Sequence, residues 1–337
     1  MPRRFVDLSI YLENDVISDP PPFGPKIQYH RHEETAGQIA GFFPGLKKED
    51  LPDGQGWAVE NVNLSTHNGT HLDAPYHFHP TMNKGERAIT IDEVPLEWCF
   101  QPGVKLDFRD KPDGHVITAR EVEAELKRIG HELKPLEIVV VNTRAGSRYG
   151  NNDYVNAGCG MGYDATIYLL EKGIRLTGTD AWSWDAPFYF TAQKWAKDHD
   201  PSIIWEGHKA GRDIGYCHLE KLHNLEALPG DGFWISCFPH KIKGEEEYLR
   251  FSIETGRKIV ESTKGLPVRF GVENHGTTTN RPEFTRKMLD GIGSKRFGLT
   301  PGVRGRANYC VSVTGATPSS RAPAIQTELI VRVFRMS

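Results

Sequence analysis

The chain has 337 residues, 38% of them hydrophobic and 25% charged, with 14 histidines, five cysteines and a formal net charge of −3. That balance suits a buried core in one large domain or two ordinary ones and excludes a basic nucleic-acid-binding surface. No run approaches the roughly 18 apolar residues of a membrane helix, and Asp7 interrupts the apolar stretch that a signal peptide would need. Cys99, Cys159, Cys217, Cys237 and Cys310 are scattered without a Cys-x-x-Cys pair. They read as reduced thiols of a cytoplasmic protein.

Taken in chain order, Asp19-Pro-Pro-Pro-Phe-Gly-Pro25 reads as a rigid extended entry, and residues 26–56 as an irregular excursion with little periodicity. Val59 to Thr66 carries no helix start or stop and is expected to be a strand that delivers the residues after it. Thr118-Ala-Arg-Glu121 is a capping box; Val122, Leu126 and Ile129 then fall on one helical face, and Gly130 stops the helix. Leu136 to Asn142 is β-branched and short, a buried strand. A helix over Asp164–Lys172, a strand over Ile174–Thr179 and another over Gly232–Phe238 complete an alternation that predicts an α/β class, a mixed sheet with flanking helices. Residues 181–206 hold Trp182, Trp184, Phe188, Tyr189, Phe190, Trp195 and Trp205. That density reads either as core or as the wall of an aromatic pocket. Beyond residue 244 only Glu254–Thr263 suggests a helix and Leu329–Phe334 a strand. Glu273 and His275 stand there without a spacing that makes a site.

The chemistry is concentrated in His67-Asn-Gly-Thr-His71-Leu-Asp73-Ala-Pro-Tyr-His77-Phe-His79, which packs four of the 14 histidines and a carboxylate into thirteen residues. Imidazole and carboxylate are ligands that Zn²⁺ and Mn²⁺ accept. All five residues are odd-numbered, so an extended backbone would project them to one side. Gly69, Thr70 and Pro75 argue against a helix that would pair His67 with His71.

His-x-Gly-Thr-His-x-Asp-x-Pro-x-His resembles the motif of the cyclase family, which includes bacterial kynurenine formamidases and isatin hydrolases. A second match lies far along the chain: His208, and twelve residues later Glu220-Lys-Leu-His-Asn-Leu225. Gly173–Asp180 resembles the family's strand into a Gly-x-Asp turn, and Arg4–Ser9 its N-terminal strand. The resemblance implies a swivelling β/β/α fold over residues 1–244. The remainder, 245–337, is then a family-atypical, loosely ordered C-terminal extension. His67, His71, Asp73, His208 and Glu220 are implied as ligands of divalent metal, Zn or Mn and two ions, with Asp73 bridging. His77 is assigned to proton transfer. A homodimer is implied as well.

A pair of metals about 3.5–4 Å apart can activate water and polarise a carbonyl, and a nearby histidine can hand a proton to a departing nitrogen. The expected function is therefore metal-dependent hydrolysis of the C–N bond of a small-molecule aromatic amide, either an aryl formamide or a cyclic amide. Phe23, Trp57, His79 and Trp182 are the candidate substrate contacts. His218 and His223, which flank Glu220, read as neighbours rather than ligands. Two other readings stay open: a lactonase or cyclising enzyme on the same site, and a noncatalytic metal- or ligand-binding protein. A serine hydrolase or dehydrogenase is excluded by the lack of a Gly-x-Ser-x-Gly elbow, a Walker loop or a correctly spaced dinucleotide fingerprint.

Overall fold

Ile138-Val-Val-Val-Asn142 is buried along its whole length, which requires cover on both faces. Alternation supplies two faces: Val139 and Val141 join one hydrophobic cluster, Ile138 and Val140 another. The computed structural model describes residues 4–20, 23–242, 244–265, 268–272, 281–299 and 331–335. These fall into two compact units, one ending at Ile242 and one beginning at Lys243.

The first unit opens with β1 (Lys26–His30), α1 (His32–Gly41) and β2 (Val59–Asn63), followed by β3 (His71–Asp73), α2 (Pro75–Phe78), β4 (Thr81–Met82) and β5 (Glu86–Arg87). Next come β6 (Phe100–Asp107), β7 (Val116–Ile117), α3 (Ala119–Ile129), β8 (Ile138–Asn142), β9 (Gly160–Met161), α4 (Tyr163–Glu171) and β10 (Leu176–Thr179). It closes with α5 (Phe188–Asp198), α6 (Glu206–Asp213), β11 (Cys217–Glu220) and β12 (Phe233–Ser236). Among the described residues six strands make one sheet in the order β12-β6-β8-β10-β11-β3. The four inner strands run parallel, and the two edge strands β12 and β3 run antiparallel to their neighbours. This is the mixed α/β architecture expected from the alternation.

One face of the sheet packs against α3 and α4, where Val104, Leu106, Val139 and Val141 meet Val122, Leu126, Leu169 and Leu170. Each such side chain contributes about 1.5–3 kcal/mol on burial. The capping box holds: the Glu121 amide donates to the Thr118 hydroxyl, the Thr118 amide donates to the Glu121 carboxylate, and Gly130 ends α3 at φ 70°. The opposite face packs Leu176, Cys217, Leu219, Leu222 and Leu225 with Ile138 and Val140.

Two local expectations are corrected. Val59–Asn63 is a strand, but it pairs with β1 in an exposed two-stranded sheet and does not run into the histidines, because a turn at Ser65–Asn68 intervenes. Residues 26–56 are not irregular throughout, since they contain β1 and α1. In the second unit the helix expected over 254–263 begins earlier, as α7 (Glu245–Ser262). The helix α8 (Pro282–Ile292) was not foreseen; it carries Phe284, Met288 and Ile292 into a small core with Leu249, Phe270 and Phe297. Among the described residues of this unit, β13 (Val268–Val272), β14 (Phe297–Leu299) and β15 (Val331–Arg335) form a three-stranded sheet ordered β14-β13-β15. Glu273, His275 and Cys310 lie outside the described residues.

One half-buried imidazole links the end of α3 to the segments that flank β8 and β12. His131 Nε2 lies 3.0 Å from Glu137 and its Nδ1 lies 2.8 Å from Asp231. Burial pulls its pKa down, but the two carboxylates outweigh that and raise it above the ordinary value of 6.5. A raised histidine stabilises fully below its unfolded pKa and loses that contribution as pH climbs through the folded value. Thermal melts should therefore show the wild-type advantage over His131→Asn shrinking as pH rises above about 6.5. An advantage that holds constant or grows would contradict the pairing.

Candidate metal centre

The ladder between β3 and β11 assembles the centre. Its register sets His71 opposite Glu220, Leu72 opposite Leu219 and Asp73 opposite His218. Side chains alternate across a strand, so His71, Asp73, His218 and Glu220 share one face. Leu72 and Leu219 take the other and join the apolar cluster.

Flanking turns add the remaining histidines. Gly69 adopts φ +65°, a left-handed conformation, and a Cβ there would fall 2.8 Å from Leu12 Cδ2. The turn folds His67 back, with Nδ1 3.0 Å from Asp73 Oδ1 and 3.2 Å from His71 Nε2. The carbonyl of His67 accepts from Lys221 Nζ at 2.7 Å. Lys221 is itself buried in an ion pair with Asp19, which also accepts from Asn68 and from the Trp182 indole. On the other side of β3, Pro75 opens the single turn of α2, which carries His77 Nε2 to 4.0 Å from Asp73 Oδ2.

α6 delivers His208. The Asp185 carboxylate accepts from the amides of Gly207 (2.7 Å) and His208 (3.3 Å) and contacts His208 Nδ1. Holding the ring proton at Nδ1 turns Nε2 inward, 3.9 Å from Glu220 Oε1. Gly160 makes room for this support, because a Cβ on it would lie 1.8 Å from the Ala186 amide nitrogen. Trp205, left-handed at φ 59°, stacks flat on His208 with ring centroids 4.6 Å apart and presents an edge to His77.

Electrostatics follow from this crowding. Burial pushes the Asp73 carboxyl up, yet the facing imidazoles of His218, His67 and His71 hold it well below its ordinary value. Glu220 is similarly held at about 2, with burial opposed mainly by His218. Burial lowers His218, but Asp73 and Glu220 raise it to about 9. His77 goes the other way: burial, with Asp73 opposing, takes it down to about 4. Its side chain nonetheless keeps 31% exposure, so solvent reaches it.

Two donor groups share Asp73: a buried one of Asp73, His208, His218 and Glu220, and an outer one of His67, Asp73 and His77. Within the buried group Asp73 Oδ2 and His218 Nε2 lack any hydrogen-bond partner. Orphaned polar atoms facing each other in a dry site are costly, and a cation among them removes the cost. The nitrogen and oxygen donor set fits a borderline divalent metal.

His67, His71, Asp73, His77, His208 and Glu220 thus come together as expected residues of one centre, and His218 joins them. Trp182 is tied to it through Asp19 and Lys221, and the Phe23 carbonyl accepts from Asn68 beside His67 while the ring stays exposed. His79 turns its Nδ1 to Thr81, and Trp57 packs on Phe42 in the connection between β1 and β2. Asp185 and Lys221 were not singled out from the sequence either, and Trp205 stood there only as one of the aromatics of residues 181–206. The i, i+2 spacing of His218 and Glu220 on a strand was the available sign for His218; no local pattern links Asp185 to His208, 23 residues away.

The chain matches the family described as Putative cyclase over residues 6–186. It belongs to that family. The kynurenine formamidase of Bacillus mycoides (strain KBAB4) is 25% identical over 185 residues, covering 54% of this chain and 70% of that protein. The kynurenine formamidase of Bacillus cereus (strain ZK / E33L) matches to the same extent. Among solved structures, isatin hydrolase A from Labrenzia aggregata, bound to benzyl benzoate, is similar with a TM-score of 0.52 and 25% identity, covering 71% of this chain and 88% of that one. Isatin hydrolase A from Ralstonia solanacearum shares the fold at a TM-score of 0.54 and 21% identity, over 71% of this chain and 86% of that one. The two solved structures are named as hydrolases, and this chain shares their fold over 71% of its length.

Asp185 acts on the centre only through His208. Asp185→Asn should lower affinity for zinc or manganese about 10–100-fold in calorimetric titration while the protein stays folded. Unchanged affinity would show that His208 needs no such orientation or is no ligand.

Proposed function

We propose that this member of the cyclase family is a metal-dependent amidohydrolase that cleaves the C–N bond of an aryl formamide or a cyclic amide. Membership in a family whose relatives include kynurenine formamidases supports the reaction class. The observation that carries the reading is His77: an imidazole reached by solvent, 4.0 Å from the carboxylate shared by both donor groups. A pure binding protein has no use for such a group.

His67, His71, Asp73, His208 and Glu220 would hold divalent metal, two ions of zinc or manganese. When bound, the metal lowers the pKa of water and polarises the substrate carbonyl. The protein's own residues do the rest. With its pKa near 4, His77 is neutral at pH 7 and accepts a proton at Nε2. Asp73 Oδ2 faces that nitrogen and stabilises the imidazolium so formed. The same ring then returns the proton to the departing nitrogen, which leaves as an amine instead of an unstable anion. The Trp205 edge closes one side of His77. Trp182 and Phe23, tied to the His67 segment through Asp19 and Asn68, would be the aromatic groups that meet a substrate ring.

Metal-replete protein assayed on aryl formamides, isatins and lactones should turn over an amide class, and complete inactivity would return the noncatalytic reading to the front. His77→Ala should lose about 10²–10⁴-fold in turnover while retaining its metal. Metal lost along with activity would make His77 a ligand.

A further inference from the structure

The buried half of the centre contains an imidazole with no role in the mechanism above. His218 is completely buried on β11, and its ring is clamped between Phe78 (centroids 4.8 Å apart, planes 22°) and Trp184 (6.0 Å, 21°). The ring therefore cannot swing away from what its nitrogens face.

Hydrogen-bond bookkeeping fixes which nitrogen carries the proton. Tyr216 donates its only hydroxyl hydrogen to the Gly207 carbonyl at 2.8 Å, so its oxygen is left to accept. The group facing that oxygen, 3.3 Å away, is His218 Nδ1, which must then be the N–H. In a neutral ring Nε2 presents a lone pair. That lone pair points into a gap where Glu220 Oε1 lies 3.2 Å and Asp73 Oδ2 3.3 Å away. No hydrogen bond joins Nε2 to either oxygen. Three acceptor atoms thus converge in a dry pocket, and His208 Nε2 approaches the same Glu220 oxygen from the side at 3.9 Å. Such an arrangement repels itself unless a second proton on the ring or a metal cation sits among the donors.

We infer that His218 is a metal ligand through Nε2, closing the buried group of Asp73, His208, His218 and Glu220 as a site held entirely by protein, so that substrate is handled at the outer group. This rests on the hydrolase reading above and adds to it a division of labour. Four protein donors leave no open position, the arrangement of a structural site, whereas a catalytic site keeps one free. Solvent access divides in the same sense. His208 and His218 are 2% and 0% exposed, whereas the side chains of His67 and His77 keep 39% and 31%. Two imidazoles and two carboxylates also leave a divalent ion electrically neutral in a buried position.

The test is cobalt(II) loading of the metal-free full chain, followed by visible absorption and by the rate at which a chelator strips the metal. Wild type should hold two ions, one removed fast and one slowly. His218→Phe keeps an aromatic ring between Phe78 and Trp184, and it should lose the slow ion and its absorption band. Its affinity there should fall at least about 100-fold, the top of the range for groups one shell further out. His67→Ala should lose the fast ion alone. His218→Gln serves as the second variant should the phenylalanine disturb folding, which the thermal melt of metal-free protein reports. If the folded His218 variants keep the slow ion with a wild-type spectrum, His218 is no ligand. If wild type binds no cobalt at all, the hydrolase reading fails with it.

Discussion

Everything distinctive about this protein depends on the register of a three-residue edge strand. Asp73 opposite His218 and His71 opposite Glu220 puts four ligand-type side chains on one face of the β3/β11 ladder. A slip of β3 by one residue would turn His71 and Asp73 into the apolar cluster and bring Leu72 into the site instead. The hydrophobic effect therefore polices the metal centre: Leu219 and its neighbours Leu222 and Leu225 are buried on the far face and hold the register.

The cost of the arrangement is two carboxylates taken out of water within a few ångströms of each other. Burial alone would protonate them, and the imidazoles of His218, His67 and His71 keep them charged. The surrounding shell is built for the same end. Asp185 orients His208, Lys221 holds the His67 carbonyl, and the Trp184 amide donates to Glu220 at 2.8 Å. Backbone strain gathers here as well, since Trp205 and Lys221 are both left-handed. Strain of this kind persists where the packing around it over-determines the conformation, which is common at functional sites.

Much of this was legible in the chain. Thr118, Glu121 and Gly130 announced α3 because capping chemistry is local, and the Val-rich run to Asn142 announced a strand covered on both faces. The odd-numbered spacing of His71 and Asp73 correctly implied one face of a strand. It misled for His67 and His77, which reach the same place from a glycine turn and a proline-started helical turn. His218 was passed over because its partner Asp73 is 145 residues away in sequence and only the ladder brings the two together. In the second unit, Phe284, Met288 and Ile292 recur at helical spacing after Pro282 and before a left-handed Gly293, so α8 carried start, face and stop signals that composition obscured.

The joining of two distant segments into one metal centre is tested most directly by elemental analysis of the purified protein and of its His71→Ala and Glu220→Ala variants. Near-stoichiometric zinc or manganese in the wild type, falling in both variants, is the expected result. Metal that persists in either variant, or wild-type protein that cannot be loaded with metal at all, would contradict a centre built across the β3/β11 ladder.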